Sequence, residues 1–160
     1  MSVINVTSGS QAILTLGNAA PLAVPGATNG LVVPLVQDVT VSAAPGTVRY
    51  STLDSGSSSA FTTTNENEIS FNMLVDDDVF FGPAVANTDN EVANVGLLSS
   101  SINKTEIHFS VAFEGTDSGD YYVSGTGFIG GLTPTASVDQ AVWLSPATII
   151  VNGELTKSTV

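Results

Sequence analysis

The 160-residue sequence has no cysteine, one histidine, one tryptophan and three basic side chains, Arg49, Lys104 and Lys157. Absence of cysteine excludes disulfides and thiolate metal sites. Nucleic-acid binding by phosphate neutralisation needs clustered Lys and Arg, and no such cluster exists. No apolar run approaches the roughly 18 to 20 residues of a membrane span, so a membrane is not an expected partner. The opening residues Met1 to Asn5 carry neither a basic stretch nor a continuous apolar one, which predicts no secretory leader. The sequons at Asn5 and Asn103 are then read as plain surface asparagines.

Charged residues are also scarce, 11% of the chain against about 25% in globular proteins. Those present are lopsided: fifteen acids against three bases give a formal charge of −12. An acidic wall of this kind repels DNA. Ser, Thr, Asn and Gly occupy the positions that charges usually take, which suits surfaces that become buried against neighbours, where a charge is costly.

Hydrophobic residues make up 42% of the chain, and their pattern is that of strands. Ile69, Phe71, Met73 and Val75 alternate with Glu68, Ser70 and Asn72; Ile107, Phe109, Val111 and Phe113 alternate with Glu106, His108 and Ser110. Each run predicts a strand with one buried face and one polar face. Residues 39–43 and 48–53 read as further strands, and Pro34 predicts an edge or a bulge in the apolar run of residues 31–36. Asp54 to Asn67 reads as a long polar loop. Asp89 to Ile102 is the only helix expected, with Asp89 as its cap and Val92, Val95, Leu98 and Ile102 at near-helical spacing. The expected fold class is therefore all-β: an antiparallel β-sandwich or barrel with one short helix. Residues 1–30, uncharged, form an N-terminal arm with a short strand at residues 12–16, and residues 31–160 form a single domain.

Candidate chemistry is thin. His108 has Glu106 two residues away but no serine motif beside it, and a surface histidine is the simpler reading. Asp76 to Asp78 could offer carboxylates to a hard cation. Alternation turns the middle one away, however, and an acidic turn is expected. Gly125 to Gly130 matches the dinucleotide spacing G-x-G-x-x-G, yet Pro134 follows where a helix would have to open. Tyr121 and Tyr122 are neighbours on a strand, so at most one can join Trp143 in an aromatic platform. Neither an enzyme nor a cofactor site is expected.

The order of these features resembles the major tail tube proteins of tailed bacteriophages. The resemblance runs from about Asp38 to Gly153: a polar loop after the Arg49-Tyr50 strand, the strand from Ile69 to Val75 with acids behind it, the helix, and the strand from Thr105 to Phe113. It closes on Gly127-Phe128, a small-residue loop and Val138-Asp139 with Ala141-Val142 before a last β-branched strand. It implies a structural virion protein that forms hexameric rings stacked into the tail tube, made in the host bacterial cytoplasm. Its implied partners are its own copies, a tail-tip or baseplate initiator, a terminator, a tape measure and, for a contractile tail only, a sheath, with genome DNA passing through unbound. It also implies that the loop bearing Asp54, Ser57, Thr63 and Glu66 contacts the adjacent ring, and that the polar faces bearing Glu68, Asn72, Glu106 and Ser110 line the lumen. A capsid decoration protein or adhesin-like β-sandwich binding module is the alternative, and oligomeric state separates the two.

Overall fold

The computed structural model describes residues 12–17, 30–51, 58–83 and 91–160. Nine strands among them join one sheet: β1 (Ile13–Gly17), β2 (Leu31–Val32), β3 (Val36–Tyr50), β4 (Ser59–Leu74), β5 (Glu106–Ala112), β6 (Tyr121–Leu132), β7 (Thr135–Ser137), β8 (Gln140–Val151) and β9 (Thr156–Thr159). Two helices, α1 (Asp77–Phe81) and α2 (Glu91–Ile102), lie between β4 and β5. Every recorded strand pair is antiparallel.

The path β2-β1-β5-β6-β8-β4-β3 places β2 and β3 at opposite edges of the sheet. In a flat sheet, six steps of about 4.8 Å would hold them roughly 29 Å apart. The chain allows far less, because the four steps from Val32 to Val36 span at most about 14 Å. The sheet therefore rolls on itself, and residues 33–35 bridge its edges. Val33 N donates to Leu14 O on β1 (2.9 Å), and Leu74 N on β4 donates to Leu35 O (3.2 Å). Leu35 adopts a positive φ of 56° to make this turn. Pro34 thus ends an edge strand, as its missing N–H requires.

Rolling buries one face of the sheet. Leu14 and Leu16 of β1, Ile107, Phe109 and Val111 of β5, and Ile69, Phe71 and Met73 of β4 form one apolar cluster with Ile149, Val79, Val92 and Leu97. The alternation in β4 and β5 falls on this cluster. Phe71 and Phe109 are almost wholly buried, and each contributes about 1.5–3 kcal/mol relative to an exposed ring. Gly125 is needed here: a Cβ on it would stand 2.9 Å from the Phe109 ring. The G-x-G-x-x-G spacing is thus a strand packing against an aromatic, with no helix opening from it.

Two expectations are corrected. A helix precedes the expected one: Asp76 accepts from Val79 N (3.2 Å) and caps α1, with Asp77 and Asp78 in its first turn. The acids that read as a turn are a helix start, stabilised by the unpaired N–H groups there. Residues 59–67, expected in a loop, belong to β4 and pair with β3 from Ala43 to Tyr50. The expected cap Asp89 and the site residues Asp54 and Ser57 lie outside the described residues. The short strand expected at residues 12–16 of the arm is β1, Ile13–Gly17, which sits inside the sheet between β2 and β5.

α2 is broken at Gly96, whose φ of 76° and ψ of 165° are not helical. A Cβ there would lie 2.5 Å from Gly82 N and from the Phe81 carbonyl carbon. Gly96 permits both the kink and the close approach of α1. Gly96→Ala is expected to destabilise the fold by at least about 2 kcal/mol through combined strain and overpacking, read as a lowered urea midpoint; an unchanged midpoint would show that α1 is free to move away.

Candidate functional site

The face opposite the core carries the polar side chains, and strand register sets them in rows. Glu106 on β5 stands beside Phe128 on β6, which faces Ile150 on β8, which in turn faces Glu68 on β4 and then Ser42 on β3. Glu68 and Glu106 therefore share one cross-strand row, with two apolar residues between them. Ser70 Oγ donates to Glu68 Oε1 (2.8 Å), and Asn152 Nδ2 donates to Glu106 Oε2 (3.4 Å). Asn72 Nδ2 donates to both carboxylate oxygens of Asp38, at 3.0 and 2.8 Å. Three acids, Asp38, Glu68 and Glu106, thus share this exposed face. Lys157 pairs with Val123 on the reverse face, where its ammonium lies 4.6 Å from the Tyr121 ring centroid.

Ser110 does not join them. It has the same strand parity as Glu106, but its row contains Thr15 of β1 and Ser124 of β6. Both Ser110 and Thr15 have no exposed surface. Ser110, expected on the channel wall, is buried in this structure, in a row with the equally buried Thr15. Its hydroxyl has no hydrogen-bond partner.

Beyond Glu68, β4 leaves β8 and continues with β3 alone as a projecting two-stranded ribbon. Ser59 to Glu66 are all exposed. Thr63 and Glu66 lie on this ribbon. Its outer part carries an apolar group that sequence reading passed over: Val48 stands opposite Phe61, and the Tyr50 and Phe61 rings lie 6.1 Å apart. The signal was present as apolar residues at 48, 50 and 61 inside a polar stretch.

A second apolar feature lies at the other end of β4, where Val75 N donates to Trp143 O (2.9 Å). Val75, Phe80, Phe81, Leu98, Pro134 and Trp143, with one acid, Asp77, line a depression of about 250 Å³. Trp143 and Phe81 are each more than half exposed. Tyr121 begins β6, whereas Trp143 lies beyond the β8 residues that pair with the end of β6, so the two rings form no platform. Among the described residues, no three His, Cys, Asp or Glu side chains gather to hold a metal ion. No helix among them is long and apolar enough to cross a membrane.

Solved structures share this architecture along nearly the whole chain. The tail of an empty GTA particle, refined with C6 symmetry, superposes with a TM-score of 0.64 at 13% identity, covering 96% of this chain and 100% of that one. The chain has the tail-tube fold. A chain in the virion of a native gene transfer agent gives 0.63 at 13% identity, covering 96% and 100%. The SPP1 tail tube gives 0.62 at 10% identity, covering 97% of this chain and 80% of that one. No protein-family model matches the sequence, and no curated protein does so. The likeness is therefore carried by topology and packing, with little identity in side chains.

Burial of Ser110 has a direct consequence. Ser110→Ala removes an unpaired, desolvated hydroxyl and is expected to stabilise the protein by about 1 kcal/mol, seen as a higher denaturant midpoint. An exposed serine would shift it by less than about 0.5 kcal/mol in either direction.

Proposed function

We propose that this chain is a non-enzymatic building block of a phage-type tail tube, assembling as hexameric rings that stack into a conduit for DNA. The observation that carries the reading is the full-length fold shared with chains of assembled tails. The open edge of β3 supports it. Among the described residues β3 ends the sheet, and its outer N–H and C=O groups favour pairing with another chain. Edge-to-edge joining of copies into a larger barrel would satisfy them.

Asp38, Glu68, Asn72 and Glu106 form the lumen wall in this reading. Fifteen acids against three bases let duplex DNA pass without adhering, because phosphate is repelled. The β3–β4 hairpin, with Asp54, Ser57, Thr63 and Glu66, reaches the adjacent ring. Assembly takes place in the host bacterial cytoplasm, and the finished tube is part of the virion. Its further partners are a tail-tip or baseplate initiator, a tape measure, a terminator and, for a contractile tail only, a sheath.

Negative-stain electron microscopy of the concentrated protein, after size-exclusion chromatography, is expected to show hollow tubes or stacked rings with six-fold end views. Discrete monomers or trimers that persist even with a tail-tip initiator would instead favour a decoration or adhesin-like module. Within tubes, the pair Glu68→Lys and Glu106→Lys is expected to make DNA adhere at low salt and release at high salt. Tubes that assemble and eject DNA as before would remove these residues from the lumen.

A further inference from the structure

β8 and β9 lie in line along the same side of β6. Val151 pairs with Gly127 and Thr156 with Ser124, so five steps of chain face three on β6 and the surplus loops out of the ladder. Asn152 and Gly153 occupy that loop, and both are exposed. Gly153 has a φ of 96°, which glycine adopts without steric cost, and a Cβ built on it would meet nothing within 4 Å. Its amide N–H has no hydrogen-bond partner among the described residues.

Asn152 is held more firmly in its backbone than in its side chain. Its N donates to Thr126 O (2.8 Å), and Thr126 Oγ1 donates to its O (3.0 Å). Its side-chain Nδ2 reaches Glu106 Oε2 at 3.4 Å in the open, a long contact that restrains little. Among the described residues it is the only asparagine followed by glycine. Closing a ring between Gly153 N and Asn152 Cγ requires the peptide plane after Asn152 to turn. The exposed Thr126 Oγ1 bond resists that turn, and one net hydrogen bond slows a step by at most about tenfold.

We infer that Asn152–Gly153 is a self-modification site, at which the folded chain deamidates to aspartate and isoaspartate. Gly153 N loses its proton to base and bonds to Asn152 Cγ; the Cγ–Nδ2 bond breaks, and ammonia leaves with a proton regained from solvent. Water then opens the succinimide. Opening at Cγ gives aspartate with the main chain intact, and opening at the α-carbonyl gives isoaspartate with the main chain rerouted through the side chain. Water enters, ammonia leaves, and nothing is oxidised or reduced. Either product replaces the donor facing Glu106 with a carboxylate, so that contact becomes repulsive. The exposed face of Asp38, Glu68 and Glu106 gains a further negative charge. An isoaspartyl link also lengthens the chain where Thr126 holds it, which loosens the joint between β8 and β9. The reaction needs a single copy and water, so it proceeds whether or not copies assemble.

Peptide mapping tests this on the unaltered chain. Trypsin cuts after Arg49, Lys104 and Lys157, which puts Asn152 and the other Asn-Gly pair, Asn29–Gly30, in separate peptides. Kept folded in mildly alkaline buffer, the chain is expected to convert Asn152 at a rate within about tenfold of that in urea. Its peptide should gain the mass of an –NH2 to –OH exchange and accept label from protein-isoaspartate methyltransferase. Thr126→Val, which loses the hydroxyl and keeps the branch, is expected to bring the folded rate closer to the unfolded one. Asn152→Gln is expected to remove the label from this peptide and leave that of the Asn29 peptide as it was. A folded chain that converts Asn152 more than about tenfold slower than the unfolded chain would show that the fold protects the site, and would overturn the inference. Label on the same peptide that survives Asn152→Gln would overturn it as well.

Discussion

The structure depends on a short bridge between two sheet edges. Val33 to Leu35 carries the chain from β2 to β3, holding Leu14 on one side and Leu74 on the other. Without that link, the path from β2 to β3 would be an open sheet with one face exposed. With it, the sheet rolls, and the alternating residues of β1, β4 and β5 meet in one cluster. Leu35 stands in the left-handed region that makes this possible, where an L side chain costs about 1–2 kcal/mol. That strain is small against the apolar surface the closure removes from water.

Closure also divides the outer face into two zones. At the end where β1 flanks β5, the outward side chains Thr15, Ser110, Ala112 and Tyr122 are buried. Toward β4, the equivalent positions carry Glu68, Glu106 and Asp38 in exposed rows. Small hydroxyl residues fit the first zone because they pack closely, and carboxylates fit the second because water can reach them. One strand, β5, passes through both. Glu106 is exposed and Ser110 buried although four residues and one parity relate them.

Much of this was legible in the sequence where local pattern and burial agree. The period-two runs of residues 68–75 and 105–113 gave both the strands and their buried faces. The acids at 68 and 106 pointed to a shared polar face. Patterns that depend on distant partners were not legible. Thr62 to Asn67 is polar on both sides, so it shows no period; pairing with residues 43–47 makes it a strand. Ser110 sits in a row with Thr15 of β1, nearly a hundred residues away in sequence, and its burial has no local signal. α1 is five residues long, too short for a helical period, although Asp76 followed by two acids was a usable start signal.

β4 belongs at once to the interior and to the projecting hairpin, without a break between them. Its Glu68–Leu74 half is sewn to β8 on one side and β3 on the other, with hydrogen bonds lying across the strand direction. A pull on the hairpin along β4 must shear all of those bonds together, whereas a peeling load would open them one by one. The mechanical strength of the molecule is thus directional, greatest along the axis of this strand. In a stacked assembly, tension arriving through the hairpin would enter each subunit along its stiffest line.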